Sequence, residues 1–459
     1  MYAATRTLRR EALRALLPEG AILLLGNGQA SRNYEDNTYP FRQDSHFLYF
    51  AGLARPDLAL LLLPDGTGTL YVPAAHPDDV VWSGPQPSPA DLAAQAGLAR
   101  HAPLDRLAAD LAACGRVHYL PPYRASNRLL LADLLGLAPA AVADGASREL
   151  VRAVVSLREI KSDGEIAEIE TALGVSALMY QFALRNARPG LHEAQIAGAM
   201  QGVALSYDMQ SSFQPIVTVR GEILHNESRD NTLEQGQLLL LDSGVETSEG
   251  YCSDITRTVP VGGVFAPRQR DIYDVVLDAQ AAAIETVAPG ATNRDVHLAA
   301  ALAVARGLTA LGLMRGDPAE ATAAGAHALF FPHGIGHMLG LDVHDMEDLG
   351  DAVGYDEGEA RSPQFGLNFL RLAKTLKPGF VITIEPGIYF NPPLIARWQD
   401  AGLHAGFIDY AAVRRYAGFG GIRLEDDVLV TADGYRVLGA PIPKTADDVE
   451  LVMGGDGTI

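Results

Sequence analysis

The feature that most restricts how this chain can fold is a run of four leucines that ends in an aspartate. The segment Gln-Leu-Leu-Leu-Leu-Asp-Ser-Gly places Asp242 at the end of a strand that a core would bury. A bare carboxylate is costly to bury, so this one needs a cation or hydrogen-bond donors around it. A second aspartate, Asp254, enters the β-branched run Ile-Thr-Arg-Thr-Val. The link over residues 244–251 is long enough for a hairpin, which would bring the two aspartates side by side.

A histidine pair occurs later, in the segment Phe-Phe-Pro-His-Gly-Ile-Gly-His. His333 and His337 are four residues apart, a spacing that suggests a metal pair when it occurs on a helix. Gly334 and Gly336 disfavour a helix here. The segment therefore predicts a turn whose backbone comes close to another element.

Two glutamates follow at the ends of apolar strands. Glu385 lies between Val-Ile-Thr-Ile and Pro-Gly, and Glu425 lies in Gly-Ile-Arg-Leu-Glu-Asp-Asp-Val. Strand alternation puts Arg423 on the same face as Glu425. Taken singly, these acids could be turn or cap residues, the histidine could be packed, and Arg423 with Glu425 could be a surface ion pair. If they converge, two divalent cations would offset the four negative charges, and the oxygen-rich set favours manganese or cobalt over a closed structural zinc.

These five segments, in this order, resemble the metallopeptidase family with the pita-bread fold, from about residue 158 onward. The resemblance implies five metal ligands around two divalent ions, which would be Mn²⁺, with Co²⁺ or Zn²⁺ as alternatives. Asp254 and Glu425 would bridge the ions. Asp242 would bind one ion, and His337 and Glu385 would bind the other.

The resemblance also implies roles for residues behind the ligands, including His225 in Ile-Leu-His-Asn and His344 in Leu-Asp-Val-His-Asp. A hydroxide held between the metals would attack the scissile carbonyl. His333 or His344 would stabilise the oxyanion, and Glu385 would carry a proton to the leaving imino group. His225 would shape the site around the substrate. Arg423 would orient a ligand carboxylate.

The chain is predicted to have two domains, an α/β domain over 1–155 and an α+β catalytic domain of the pita-bread type over 156–459. Continuous apolar runs at 21–25 and 58–63 have strand length, and they alternate with stretches of helical spacing. Just after the boundary, Ser162 with a glutamate three residues on predicts the start of a long helix.

The first domain narrows the resemblance. Residues 39–52, Tyr-Pro-Phe-Arg-Gln-Asp-Ser-His-Phe-Leu-Tyr-Phe-Ala-Gly, resemble the N-terminal domain of aminopeptidase P, which methionine aminopeptidases of the same fold lack. The segment Asp-Val-Val-Trp-Ser-Gly is similar to one that places a tryptophan near the active site of a neighbouring subunit. Trp82 is therefore predicted to bind substrate, with core packing as the alternative.

The C-terminal half is more similar to prolidase. The similarity lies in residues 362–379, in the insertion after Glu-Pro-Gly-Ile-Tyr-Phe, and in residues 416–423. Arg371 matches a prolidase arginine that holds the carboxylate of the bound proline, and an arginine fork suits a carboxylate. The alternative is an exposed arginine on a helix. A carboxylate-binding Arg371 would favour dipeptides.

The resemblances together imply a hydrolase, a proline-specific metallopeptidase of the Xaa-Pro aminopeptidase type. This protease would release the first residue from peptides with proline in the second position. Two alternatives are a prolidase, which cleaves Xaa-Pro dipeptides, and a metal-free binding module of the same fold. Relatives of the latter kind replace metal ligands, whereas all five are present here. A homodimer or homotetramer is also implied.

Charge and hydropathy exclude other classes of function. With 36 basic and 56 acidic residues the net charge is −20, which disfavours binding to nucleic acid. The longest apolar run, 58–63, is about six residues, whereas a membrane span needs about 20. Charges interrupt the N-terminus, whose leucines recur at helical spacing, so a helix is predicted and not a secretory signal. Cys114 and Cys252 are expected to be thiols in the cytoplasm.

Overall fold

The computed structural model describes residues 3–454, which fold into two compact units. The first unit holds the chain up to Arg158 together with Met346–Ala352. The second holds Glu159–Asp345 and the chain from Val353 onward. None of the helices in this described part has the length and apolar content of a membrane span.

The first unit is built on a mixed five-stranded sheet in the order β6-β5-β4-β1-β7, with a separate β2-β3 pair. Its strands are β1 (Ala21–Leu25), β2 (Ser31–Tyr34), β3 (Asn37–Thr38), β4 (Ala59–Leu62), β5 (Gly68–Val72), β6 (Arg100–Pro103) and β7 (Val117–His118). Its helices are α1 (Ala3–Leu16), α2 (Ser45–Ala51), α3 (Asp79–Ser83), α4 (Pro89–Gln95), α5 (Leu107–Ala112), α6 (Ala125–Leu135) and α7 (Arg148–Arg158).

The two apolar runs of this unit form strands, as the sequence predicts, and the structure places these strands next to each other in the sheet. β1 and β4 pair antiparallel, and Leu23 lies opposite Leu61. Both side chains are buried in a core that α5 and α6 cover with Leu107 and Leu131. The alternation of apolar strands and helices therefore produces an α/β unit.

The second unit contains two three-stranded antiparallel sheets, β12-β10-β9 and β13-β16-β17, and the strand pairs β11-β8 and β14-β15. Its strands are β8 (Gln210–Ser211), β9 (Ile216–Thr218), β10 (Leu238–Ser243), β11 (Val245–Glu246), β12 (Ile255–Pro260), β13 (Val381–Ile384), β14 (Gly387–Tyr389), β15 (Gly421–Arg423), β16 (Asp426–Val430) and β17 (Tyr435–Val437). Its helices are α8 (Asp163–Asn186), α9 (Glu193–Ser206), α10 (Pro267–Thr286), α11 (Asn293–Ala310), α12 (Pro318–Ala324), α13 (Asp351–Gly354, at the return of the chain to this unit), α14 (Pro392–Asp400), α15 (Tyr410–Arg414) and α16 (Ala446–Gly454).

The long helix predicted after Ser162 is α8. The Glu165 carboxylate accepts hydrogen bonds from the N–H and the hydroxyl of Ser162, at 2.9 and 2.7 Å, and so satisfies a backbone donor at the helix start. The predicted pairing of the two aspartate-bearing segments is also confirmed, because β10 and β12 pair antiparallel with Asp242 opposite Thr256.

Candidate metal centre

The pairing of β10 with β12 places the two aspartates at one end of their sheet. Asp242 lies within β10, and Asp254 immediately precedes β12. The Arg423 guanidinium forms an ion pair with Asp242. The backbone N–H of Asp254 donates to the Asp427 carboxylate at 3.2 Å. Both aspartates are buried beside the apolar residues of these strands, as their neighbours in the sequence indicate.

His337 lies in the predicted turn, which is not helical. A Cβ at Gly336 would lie 1.9 Å from the carbonyl oxygen of Thr383, so only glycine allows the turn to approach β13 this closely. The Nδ1 atom of His337 lies 3.1 Å from the Met338 carbonyl, which can only accept, so Nδ1 carries the proton. Nε2 therefore presents a lone pair to the site, as a metal-binding histidine requires.

The two glutamates approach from the second sheet. Glu385 follows β13, and its N–H donates to the Ile335 carbonyl at 2.7 Å, which ties it to the histidine turn. Glu425 accepts a hydrogen bond from the Thr256 hydroxyl at 2.7 Å. Arg423 donates through Nε to the same hydroxyl at 3.2 Å, so Arg423 and Glu425 share a face of the strand as predicted.

All five predicted ligands converge in the second unit. One ligand atom each of Asp254, His337 and Glu425 lies within 4.8 Å of the others. Nε2 of His337 is 3.4 Å from Asp254 Oδ2 and 3.8 Å from Glu385 Oε1. Arg423 connects Asp242 to Glu385, whose Oε2 lies 4.0 Å from the guanidinium Nε. Residues far apart in sequence thus form one cluster, which is buried except for the partly exposed Glu385.

The electrostatics of this cluster fit a cation. Burial and the charge of Asp242 raise the pKa of Asp254 well above its ordinary value, and burial and the charge of Asp254 do the same for Glu425. Burial also raises the pKa of Glu385. Among the described residues, Oδ1 of Asp242, Oδ1 of Asp254 and Oε1 of Glu425 are buried without a hydrogen-bond partner. Carboxylate oxygens with one imidazole suit a divalent metal.

Tyr389 belongs to the site, although the sequence reasoning did not select it. Its hydroxyl lies 2.8 Å from Nε2 of His333 and 3.1 Å from the Arg423 guanidinium. Nδ1 of His333 faces the Gly334 carbonyl at 2.8 Å and must donate to it, so Nε2 accepts from Tyr389. A Cβ at Gly387 would lie 2.3 Å from this hydroxyl, so the tyrosine needs a glycine at that position.

Two further predicted histidines lie near the cluster. The ring of His344 is 4.2 Å from that of His337, centroid to centroid, and burial together with His337 lowers the pKa of His344 to about 2. His225 is exposed. Partial desolvation and the charges of Arg423 and Arg371 lower the pKa of His225. His225 therefore lies close enough to these arginines to interact with them electrostatically.

The other two predicted substrate-binding residues, Arg371 and Trp82, lie in different units. Arg371 is half-buried in a bend that precedes β13, so the alternative of an exposed arginine on a helix is wrong. Burial lowers its pKa, and the charge of Glu385 acts in the opposite direction. Trp82 lies in α3 of the first unit and is 84% exposed, so the core-packing alternative is also wrong.

Comparison with known proteins agrees with the two-domain prediction. The model of metallopeptidase family M24 matches residues 167–432, and that of the aminopeptidase P N-terminal domain matches residues 7–118. A protein of Coccidioides posadasii named "Probable Xaa-Pro aminopeptidase PEPP" is 32% identical over 98% of this chain and 97% of its own length. A Fusarium vanettenii protein of the same name is 33% identical over 97% of this chain and 94% of its own.

Solved structures give the same result. Pseudomonas aeruginosa aminopeptidase PepP has a TM-score of 0.82 at 28% identity and covers 99% of this chain and 98% of its own. Zinc-substituted Escherichia coli aminopeptidase P, in complex with product, has a TM-score of 0.80 at 27% identity with the same coverage. The predicted architecture, an aminopeptidase P-type N-terminal domain with a pita-bread catalytic domain, is confirmed. The chain belongs to metallopeptidase family M24.

Proposed function

We propose that this protein is an Xaa-Pro aminopeptidase, a hydrolase that removes the first residue from peptides with proline in the second position. The observation that carries this proposal is the cluster of four carboxylates and one imidazole, which is buried except for the partly exposed Glu385. Three carboxylate oxygens of this cluster have no partner among the described residues. Relatives named Xaa-Pro aminopeptidase align with nearly the whole chain. Residues 156–459 would form the catalytic domain.

Two divalent metal ions would be held by the five clustered side chains. Asp254 and Glu425 would be shared between the ions, Asp242 would bind one, and His337 with Glu385 would bind the other. The oxygen-rich set favours manganese, with cobalt or zinc as alternatives. When bound, the metal pair supplies a water nucleophile of lowered pKa and polarises the scissile carbonyl.

Glu385 would move the proton that the reaction needs. Burial raises the pKa of its carboxyl, so it can take up a proton and release it again. A prolyl nitrogen leaves well only when it is protonated. Glu385 lies between Arg423 and His337, and it would deliver its proton to that imino nitrogen.

His344 would stabilise the oxyanion, with His333 as the alternative. Both ring nitrogens of His333 are engaged, Nδ1 with the Gly334 carbonyl and Nε2 with the Tyr389 hydroxyl. His344 has a pKa of about 2 and is therefore neutral, so it would donate from an N–H to the carbonyl oxygen. His333 would hold Tyr389 in place.

Arg423 would orient carboxylate ligands, since it contacts Asp242 and faces Glu385. His225, exposed beside these charges, would shape the binding site for the substrate.

Trp82 would complete substrate binding in a homodimer or homotetramer, and its 84% exposure leaves the indole accessible to a second copy. Cys114 and Cys252 are thiols and not a disulfide, which suits the predicted cytoplasmic location.

A prolidase activity is the second candidate, and Arg371 favours it. This arginine is close enough for its charge to lower the pKa of His333 and of His344, so it is near the reacting groups. A guanidinium there could bind the free carboxylate of a dipeptide.

Peptide length separates the two activities. With manganese present, turnover of an Xaa-Pro-Xaa-Xaa tetrapeptide should match or exceed that of an Xaa-Pro dipeptide, and a strict preference for the dipeptide would reverse the ranking. If Arg371→Ala lowers turnover of the dipeptide and not of the tetrapeptide, Arg371 binds the free carboxylate of the dipeptide. Arg397→Ala, at an exposed arginine of the same unit, is the control. A purified chain that binds manganese but cleaves neither peptide would contradict both activities, and one that binds no metal would support a binding module.

A further inference from the structure

The hydroxyl of Tyr180 touches both strands that carry the predicted aspartate ligands. Tyr180 lies on α8 and is fully buried. Its hydroxyl accepts from the N–H of Ser243 at 3.1 Å, and it lies 3.2 Å from the carbonyl oxygen of Leu241. On the other strand it donates to the carbonyl of Ile255. One side-chain oxygen therefore connects backbone groups of β10 and β12.

These backbone groups belong to the neighbours of Asp242 and Asp254. Leu241 and Ser243 flank Asp242, and Ile255 follows Asp254. In the strand pairing Ser243 lies opposite Ile255, so the hydroxyl sits at the last rung between the strands. A shift of this rung would move the Cα atoms of both aspartates relative to each other.

We infer that Tyr180 is a positioning residue, whose hydroxyl sets the spacing between the carboxylates of Asp242 and Asp254. This inference rests on the proposed metal centre and goes beyond its ligands and their direct partners. A side chain that acts behind metal ligands typically changes metal affinity by about 10- to 100-fold when it is removed. An ordinary buried hydroxyl, in contrast, would change stability alone.

The test compares Tyr180→Phe with Tyr273→Phe. Tyr273 is also fully buried in the second unit, and its hydroxyl likewise donates to a backbone carbonyl, that of Lys444 at 2.8 Å. We expect Tyr180→Phe to weaken Mn²⁺ binding by about tenfold in calorimetric titration of the chelator-treated protein, and to alter the visible spectrum of bound Co²⁺. kcat should fall with little change in KM. Tyr273→Phe should lower the melting temperature while it retains wild-type metal affinity.

A rescue variant adds a second measurement. 4-Aminophenylalanine at position 180 keeps a donor where the hydroxyl was, and it should restore most of the manganese affinity that Tyr180→Phe loses. Equal metal affinity and equal Co²⁺ spectra in Tyr180→Phe and Tyr273→Phe would overturn the inference. So would a Tyr180→Phe chain that does not fold, because the hydroxyl would then serve the stability of the whole unit. The wild type tests the proposed function separately, since a wild type that binds manganese but cleaves no Xaa-Pro peptide overturns only that function.

Discussion

Hydrogen bonds fix the tautomer of His333 beside the cluster, and burial keeps its imidazole neutral. Arg423 contacts Asp242 and donates to the Tyr389 hydroxyl, which in turn donates to His333. This series of hydrogen bonds ends where His333 donates to the Gly334 carbonyl. Burial lowers the pKa of His333 to about 3, so the imidazole stays neutral and continues to accept from Tyr389.

The first prediction concerns the Tyr389 hydroxyl. Tyr389→Phe leaves Nε2 of His333 and one N–H of Arg423 without this partner, and a buried group that loses its partner costs about 1–3 kcal/mol. We expect this cost in the free energy of unfolding, and a fall in kcat of about tenfold, which corresponds to a loss of about 1.4 kcal/mol of transition-state stabilisation. Steady-state kinetics with metal analysis measures this. Tyr410→Phe, at a hydroxyl that donates to Leu403 away from the cluster, should leave kcat unchanged. An active Tyr389→Phe with wild-type kcat contradicts the role of the network.

Which residues of the site were predictable depends on where their partners lie. Asp242, Asp254 and Glu385 were visible because a carboxylate in an apolar strand contradicts its surroundings. Tyr389 was not, because tyrosine is common in strands and its partners, His333 and Arg423, come from other segments. Long-range hydrogen bonds of this kind leave no local signal.

At the scale of elements, α1 shows how a correct helix can present an unexpected face. The leucine spacing predicts a helix at the N-terminus, and α1 spans those leucines up to Leu16. Leu8 is nevertheless 64% exposed. The buried side chains include Arg9 and Arg10, which donate to the carbonyls of Tyr49 and Phe50 near the end of α2. Helix C-termini leave carbonyls unpaired, and arginines satisfy them. The apolar stripe alone cannot reveal this use of arginine.

Arg10 should therefore matter more to stability than the leucine beside it. Arg10→Met leaves the Phe50 and Gly97 carbonyls without a guanidinium, at 2.7 and 2.9 Å in the wild type. We expect the free energy of unfolding of the first unit to fall by about 1–3 kcal/mol in urea titration. Leu8→Ala, at an exposed position of the same helix, should change it by less than about 0.5 kcal/mol. The reverse order would mean that the leucine stripe is the packed face.

A buried ion pair fixes the loop that carries His344. Nζ of Lys161 lies 2.9 Å from Oδ2 of Asp345, and both side chains are 1% exposed. Lys161→Met removes the cation and leaves the aspartate buried, which costs about 3–5 kcal/mol of unfolding free energy. Urea unfolding followed by fluorescence checks this value. Lys377→Met is the control, because Lys377 is half exposed and its partner Glu159 keeps Lys374. A loss no larger than in the control would mean that this buried pair contributes no more to stability than a surface ion pair does.

At the scale of the whole molecule, the order of elements was predictable and their grouping was less so. The α/β pattern of the first unit and the antiparallel pairing of β10 with β12 follow from strand length, spacing and loop length. Residues 346–352 group with the first unit, although the chain on both sides of them belongs to the second. Within that unit, Nε2 of His46 lies 3.3 Å from Oδ2 of Asp348. The local sequence around neither residue predicts this contact.

Because the carboxylates of the cluster have shifted pKa values, metal binding should be linked to the stability of the whole protein. In the metal-free protein, burial and mutual repulsion raise the pKa values of Asp254, Glu385 and Glu425 above those of an unfolded chain. Groups with raised carboxyl pKa values stabilise the folded state when protonated. That contribution is complete below their unfolded pKa values, near pH 4, and is lost as the pH rises through the folded ones.

Chelation should therefore destabilise the protein more at high pH than at low pH. Metal competes with protons for the same oxygens, so we expect the melting temperature gained from Mn²⁺ to be larger at about pH 8 than at about pH 5. At 100 times the dissociation constant, bound metal adds about 2.7 kcal/mol of unfolding free energy. Calorimetry of EDTA-treated and manganese-loaded protein across this range measures the difference. Asp254→Asn should lose most of the gain, since it removes a carboxylate that both ions would share. A gain that is absent, or that does not depend on pH, would show that these carboxylates do not hold the metal.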